Sequence, residues 1–145
     1  MDLIFGSGIH QENLNNPALN KKLEKLGREL INSPNLKQKS NVGGLQAHAP
    51  DLEHPVLGEF FKTVMAPINE LVKHYHIAGD FSCGFQDLWF NLNRKGDYNL
   101  QHSHGGTDFS GTYYIKCAPG SGDLVLVNPN QSKFLLNLTS TFQFK

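Results

Sequence analysis

The chain has 145 residues, enough for one domain with one hydrophobic core and too few for two independent domains. Its hydrophobic fraction of 39% and charged fraction of 18% are ordinary for a globular protein and argue against disorder. The 13 basic and 13 acidic residues give a net charge of zero, which disfavours a nucleic-acid partner or an anionic membrane surface.

The cysteines and the N-terminus indicate where the protein resides. Cys83 and Cys117 are too few for a disulfide framework, so buried free thiols in a reducing compartment are the simplest interpretation. The N-terminus lacks the basic start and long apolar run of a signal peptide, and no stretch approaches the roughly 18 apolar residues of a membrane span. We therefore expect a cytoplasmic protein with no membrane partner.

A leucine stripe predicts the first helix. Asn16 and Pro17 have the residue types of an N-cap and a first helical position, and the pattern ends near Asn32. Between these limits the leucines recur at spacings of four, three and four residues, which places them on one helix face. They are Leu19, Leu23, Leu26 and Leu30.

A second helical pattern begins at Pro55 and runs to Val72. Pro67 lies inside it and is predicted to kink or split the helix, because proline removes one backbone donor. The polar stretch between the two helices, about residues 35–54, carries a glycine pair and is predicted to be a loop. The helical part of the chain is therefore predicted to cover about residues 1–78.

Short strands are predicted from about residue 80 to residue 145. Leu88, Phe90 and Leu92 alternate with Trp89, Asn91 and Asn93, which is the period of a strand with one apolar face. The runs SGTYYIKC, DLVLVNP, KFLLNL and TFQFK predict further strands. Helices followed by antiparallel strands predict the α+β class, with the two helices packed on one face of a sheet or partial barrel.

His102 and His104 are candidate metal ligands. On a strand, residues two apart project from the same face, so two imidazoles could converge on one ion. Imidazole pairs suit Fe, Zn, Cu or Ni, and Gly105 and Gly106 leave space for a cation to approach the backbone. A His-x-His pattern alone is weak evidence, because surface or core histidines also produce it.

The surrounding run, LWFNLNRKGDYNLQHSHGGTDFSGTYYIKCAPGSGDLVLVNP from Leu88 to Pro129, resembles the 2-oxoglutarate/Fe(II)-dependent oxygenases of marine bacteria and phages. The family pattern comprises a Trp-x-Asn strand, Gly-x-x-Asn, His-x-His, Ser-Gly-x-Tyr-Tyr, a Pro-x-x-Ser-Gly turn and a strand ending near Asp-Pro. Asn128 stands where the family often has Asp. Upstream, SNVGGLQ resembles Ser-Asn-x-Gly-Gly-Trp-Gln, with Leu45 in place of Trp.

The resemblance implies a double-stranded β-helix (a jelly roll of the cupin type) that binds Fe(II) and 2-oxoglutarate at one mouth. His102 would be the first metal ligand, and His104 would replace the usual carboxylate of the facial triad. Tyr114 stands where related prolyl hydroxylases use a tyrosine to contact 2-oxoglutarate, and Lys116 could pair with its carboxylate. Trp89, Asn91 and Asn93 could line the substrate cleft, although core packing is the competing interpretation for Trp89.

The family's distal histidine and carboxylate-binding arginine have no counterpart here, because no histidine follows His104 and no arginine follows Arg94. We therefore expect a C-terminally truncated or frame-shifted chain whose barrel lacks its last strands. The exposed sheet edge would then favour a homodimer. Candidates for a third ligand, each with a solvated surface role as the competing interpretation, are Asp97, Asp108, His48 and His54.

Two functions remain open from the sequence. The first is an oxygenase that hydroxylates an unidentified substrate, with 2-oxoglutarate as its small-molecule cosubstrate. The alternative is a non-catalytic metal- or ligand-binding module on the same barrel. Because the third ligand and the arginine are missing from the sequence, we expect weak metal binding and no turnover.

Overall fold

The computed structural model describes residues 8–33, 36, 39–75 and 82–127, together with the backbone of 141–144. Within these ranges, two helices and six short strands form an α+β arrangement, as the sequence predicts. The elements are α1 (Pro17–Ile31), β1 (Asn41–Val42), β2 (Leu45–His48), α2 (Pro55–His74), β3 (Trp89–Leu92), β4 (Tyr98–Asn99), β5 (Leu124–Val127) and β6 (Thr141–Phe144).

Helix α1 begins and ends where its sequence signals predict. The side-chain oxygen of Asn16 accepts a hydrogen bond from the backbone nitrogen of Leu19 at 3.1 Å, and Pro17 occupies the first turn. Asn32 forms the C-cap. The leucine stripe is confirmed, because Leu19 and Leu23 are almost fully buried and the later leucines pack on the same core.

Helix α2 runs unbroken from Pro55 to His74, so Pro67 does not split it. The imidazole of His54 caps the helix by accepting a hydrogen bond from the backbone nitrogen of Val56 at 3.2 Å. Leu57 and Val72 are buried, whereas most other apolar residues of this helix are half-buried. None of the helices in the described ranges is long and apolar enough to cross a membrane.

The core lies between α1, α2 and the β2–β3 strand pair. The two strands are antiparallel, and Ala47 and Phe90 are register partners that are both buried. Gly27 of α1 lies so close to Phe90 that a Cβ atom at this position would be 2.6 Å from the ring. The apolar face predicted for β3 is therefore confirmed, and α1 packs on it.

The prediction of buried thiols is wrong for Cys117, which is exposed, whereas Cys83 is half-buried. Two local predictions of secondary structure are also wrong. The predicted loop at 35–54 contains β1 and β2, because partners in β4 and β3 satisfy their backbone groups. The run Gly111–Lys116 is not a strand, although its burial alternates as in a strand. Tyr113 and Ile115 of this run pack on the core, but no strand pairs with the run in the described part of the chain.

The strands of the described ranges pair in three antiparallel couples, β1–β4, β2–β3 and β5–β6. These couples confirm the antiparallel character predicted for the C-terminal part but not a closed jelly roll. The predictions from DLVLVNP and TFQFK correspond to β5 and β6. The strand predicted from KFLLNL lies outside the described residues.

Candidate functional site

The side chains of His102 and His104 lie next to each other on the loop that follows β4. Their ring centroids are 4.8 Å apart and their planes meet at 78°. Both residues are exposed, so a hydrated ion can reach them from solvent. The structure thus brings together the two imidazoles that the sequence proposes as metal ligands, although on a loop rather than on a strand.

The hydrogen bond of His102 fixes which of its nitrogens is free. Nδ1 lies 2.7 Å from the backbone oxygen of Leu100. A carbonyl oxygen only accepts, so Nδ1 carries the hydrogen and donates it. When this ring is neutral, it presents the lone pair of Nε2, which is the form that a metal requires.

The other imidazole, His104, stacks on the indole of Trp89. The ring centroids are 5.3 Å apart with an angle of 24° between the planes. Trp89 also packs against His48, its register partner on β2, with centroids 5.9 Å apart. The Nδ1 atom of His48 lies 3.0 Å from a carboxylate oxygen of Asp87. The metal-ligand candidates are therefore in contact with the β2–β3 strand pair through Trp89.

The candidates for a third ligand have other roles in the structure. Asp97 accepts a hydrogen bond from the backbone nitrogen of Arg94 at 2.7 Å, and His54 caps α2. His48 is paired with Asp87, and Asp108 is exposed. Among the described residues, no group of three His, Cys, Asp or Glu side chains could hold a metal ion.

Lys116 points to α1. Its Nζ atom lies 3.3 Å from a carboxylate oxygen of Glu24, which also accepts from Arg28 at 2.8 Å. The hydrogen bond from Arg28, and then that from Lys116, lower the pKa of Glu24 below its ordinary value. In this structure the Lys116 ammonium is thus engaged by a protein carboxylate, which would compete with a carboxylate of 2-oxoglutarate.

The two adjacent tyrosines, Tyr113 and Tyr114, have different surroundings. Tyr113 packs on Phe60 with ring centroids 5.1 Å apart, and its hydroxyl donates to the side chain of Asn20 at 2.5 Å. Tyr114 is 55% exposed. Partial burial, and then the nearby Cys117 and Asp123, raise its pKa. Its hydroxyl therefore keeps its proton at neutral pH and can donate a hydrogen bond to an anion.

The residues of the site fit the implied iron in part. Two adjacent imidazoles, one with its Nδ1 anchored to a carbonyl, match two vertices of a facial triad. The described residues do not supply the third vertex. Of the proposed substrate-cleft residues, Trp89 is half-buried and stacks on His104, whereas Asn91 and Asn93 are exposed.

Sequence reasoning missed the parts that hold this site in place. The backbone nitrogen of Leu100 donates to the backbone oxygen of Ser40 at 2.7 Å. This hydrogen bond connects the loop that carries His102 and His104 to the segment before β1. The pairing of His48 with Asp87 was also missed. The resemblance of SNVGGLQ to a family segment was the one available signal, because it marks the chain around Ser40 as part of the same unit.

The comparisons with known proteins identify the segment that contains the site. Residues 87–143 match the family model described as "Putative 2OG-Fe(II) oxygenase", and this range includes His102, His104 and Trp89. No curated protein and no solved structure matches the chain. Over residues 87–143, this chain is therefore similar to the 2OG-Fe(II) oxygenase family.

Proposed function

We propose that the chain is a 2-oxoglutarate- and Fe(II)-dependent oxygenase domain that acts on an unidentified substrate. His102 and His104 provide two imidazole ligands for the iron. Tyr114 provides a hydrogen bond to 2-oxoglutarate. When both cofactors are bound, the chemistry converts 2-oxoglutarate, dioxygen and a C–H bond into succinate, carbon dioxide and a C–OH group.

The observation that carries this proposal is the juxtaposition of the two imidazoles inside the family segment. Their centroids are 4.8 Å apart, and His102 holds its Nδ1 proton on the oxygen of Leu100. That hydrogen bond orients Nε2, as is usual for histidines that bind metals. A pair of unrelated surface histidines would not require this arrangement.

The ligand count limits the expected strength of the site. The described residues provide two protein ligands, and the ammonium of Lys116 is paired with Glu24. We therefore expect Fe(II) to be held weakly and to be removed readily by a chelator. For the same reason we expect the isolated chain to form little succinate.

The test is an anaerobic calorimetric titration with Fe(II), followed by a titration with 2-oxoglutarate. We expect 2-oxoglutarate to bind only after Fe(II), and we expect His102→Ala to abolish both events. The matched control is His74→Ala, since His74 is an exposed histidine in the last turn of α2. This control should bind as the parent does.

The proposal would be contradicted if 2-oxoglutarate bound equally well without Fe(II) and in the His102→Ala variant. Addition of dioxygen and ascorbate then measures turnover through succinate. Succinate well above the His102→Ala control would support the oxygenase assignment and show that a third ligand is present. Fe(II) binding without 2-oxoglutarate binding would instead favour the alternative function, a non-catalytic metal-binding module.

A further inference from the structure

Trp89 is in contact with imidazoles on two separate segments of the chain. It stacks on His104 with an interplanar angle of 24° and packs against His48 at 31°. It is the only tryptophan of the chain. Its backbone belongs to β3, which pairs with β2 over four residues and packs on α1. The indole therefore links a well-supported strand pair to an exposed loop.

We propose that Trp89 is a positioning residue that sets the ring plane of His104 and thereby the direction of its metal-binding nitrogen. This inference rests on the proposed function, because it concerns the same histidine pair. His102 already has an anchor in the oxygen of Leu100. Among the described contacts of His104, the partners are aromatic: the indole of Trp89 and the imidazole of His102.

The support of Trp89 comes from His48. That side chain has little freedom, since only 17% of it is exposed and Nδ1 is paired with Asp87. As the register partner of Trp89 in an antiparallel pair, it projects from the same face of the two strands. A series of side-chain contacts therefore runs from Asp87 through His48 and Trp89 to His104.

These contacts matter because two imidazoles bind one metal ion only when each ring has a defined orientation. A ring that rotates freely about its side-chain torsions must be ordered when the metal binds, and this ordering costs conformational entropy. A planar neighbour that holds the ring beforehand removes part of that cost. A ring in contact with an indole has fewer orientations available than a ring in solvent.

The test compares Trp89→Phe, which keeps an aromatic face, with Trp89→Leu, which does not. In the metal-free chain with labelled histidines, the indole ring current should displace the NMR ring resonances of His104. We expect Trp89→Leu to abolish that displacement and Trp89→Phe to keep part of it. Co(II) affinity, measured as metal alone, should fall about tenfold in Trp89→Leu, as when outer partners of metal-binding histidines are lost, and should be partly restored by Phe.

The matched control is Tyr75→Leu, which removes an aromatic side chain that packs on His74 outside the site, with centroids 5.9 Å apart. It should leave Co(II) affinity unchanged. Circular dichroism establishes whether each variant is folded. If Trp89→Leu does not fold, Trp89→Phe alone tests the proposal: its Co(II) affinity and its displacement of the His104 resonances should both be lower than in the parent. Unchanged His104 resonances in Trp89→Leu would overturn the proposal, as would Co(II) affinity equal to that of the parent.

The two failures are distinguishable. If the parent chain binds no Co(II), the proposed function fails, and the NMR comparison still decides whether Trp89 orients His104. If the parent binds Co(II), and His104→Ala does not, while Trp89→Leu binds normally, the proposed metal site stands. Trp89 is then only a packing residue.

Discussion

The backbone nitrogen of Leu100 donates a hydrogen bond of 2.7 Å to the backbone oxygen of Ser40. The oxygen of the same residue, Leu100, accepts the Nδ1 proton of His102 at 2.7 Å. One residue therefore connects the chain before β1 with the first proposed metal ligand. The segment that begins at Ser40 and continues through β1 into the β1–β2 turn is therefore connected to the site, although it lies about 60 residues earlier in the sequence.

Gly43 in this turn tests the connection. Its φ of +78° is in the left-handed region, and a Cβ atom there would collide with the carboxylate of Asp97. We expect Gly43→Ala to lower the free energy of unfolding by about 1–3 kcal/mol and to weaken Co(II) binding, because β1 shifts away from Leu100. Urea unfolding and Co(II) titration of the same preparation measure the two effects.

The control for this variant is Gly111→Ala. A Cβ atom on Gly111 would meet no atom within 4 Å, and its backbone is not left-handed. We expect its unfolding free energy to stay within about 0.5 kcal/mol of the parent, as for an ordinary surface substitution. If both alanine variants behave alike, the β1–β2 turn does not constrain the site in the way described.

The packing of α1 predicts a large effect of Leu23→Asp. Leu23 is 2% exposed, so a carboxylate at this position would be buried without a partner. We expect a loss of about 3–5 kcal/mol, seen as a lower urea midpoint or as a chain that does not fold. Lys21→Asp, at an exposed position on the same helix, should change the midpoint little. A parent-like midpoint for Leu23→Asp would mean that α1 does not pack as observed.

The pairing of Glu24 with Arg28 and Lys116 predicts a pH-dependent stability. The pKa of Glu24 is lowered from 4.5, first by Arg28 and then by Lys116. A depressed pKa in the folded state stabilises the fold above the unfolded pKa, and this contribution disappears as the pH falls through the folded pKa. We therefore expect Glu24→Gln to be less stable than the parent at pH 7, with the difference closing below about pH 4.5.

Unfolding curves at several pH values, at low ionic strength, measure this difference. Glu29→Gln is the control, because Glu29 has a longer contact of 4.0 Å with Lys25 and is more exposed. Its effect should be smaller at every pH. A difference between Glu24→Gln and the parent that persists unchanged at pH 3 would rule out the pairing as its cause.

The apolar outer face of β5 leads us to propose self-association. Val125 and Val127 are 48% and 40% exposed on the same side of the strand. We expect sedimentation to show a dimer whose fraction rises with concentration, and Val127→Lys to shift it toward monomer because burying an ammonium group between two apolar faces is costly. Val42→Lys, at a comparably exposed valine in β1, should leave the fraction of dimer unchanged. A chain that is monomeric at all concentrations would contradict the proposal.

The parts of the fold that the sequence predicts are those with local causes. The leucines of α1 and the cap at Asn16 depend on residues three or four positions apart, so a short window contains the whole signal. The alternation around Phe90 is equally local. The proximity of His102 and His104 is also predicted, because a single residue separates them in the sequence.

The parts that the sequence did not predict depend on distant partners. Asn41–Val42 reads as polar loop, and it becomes a strand because Tyr98–Asn99 supplies the facing backbone groups. Conversely, Gly111–Lys116 has a strand pattern, yet Tyr113 is held by Asn20 of α1 and not by a neighbouring strand. The ion pair of Lys116 with Glu24 spans 92 positions, and no local pattern indicates it.

Paramagnetic NMR can establish whether His102 and His104 form one metal site. The chain is labelled in its histidine rings and titrated with Mn(II) at substoichiometric amounts. We expect the ring resonances of His102 and His104 to broaden first and together, while those of His10, His54 and His74 stay sharp. Equal broadening of these five of the seven histidine rings, or broadening that leaves His102 and His104 unaffected, would show that the two residues do not form one metal site.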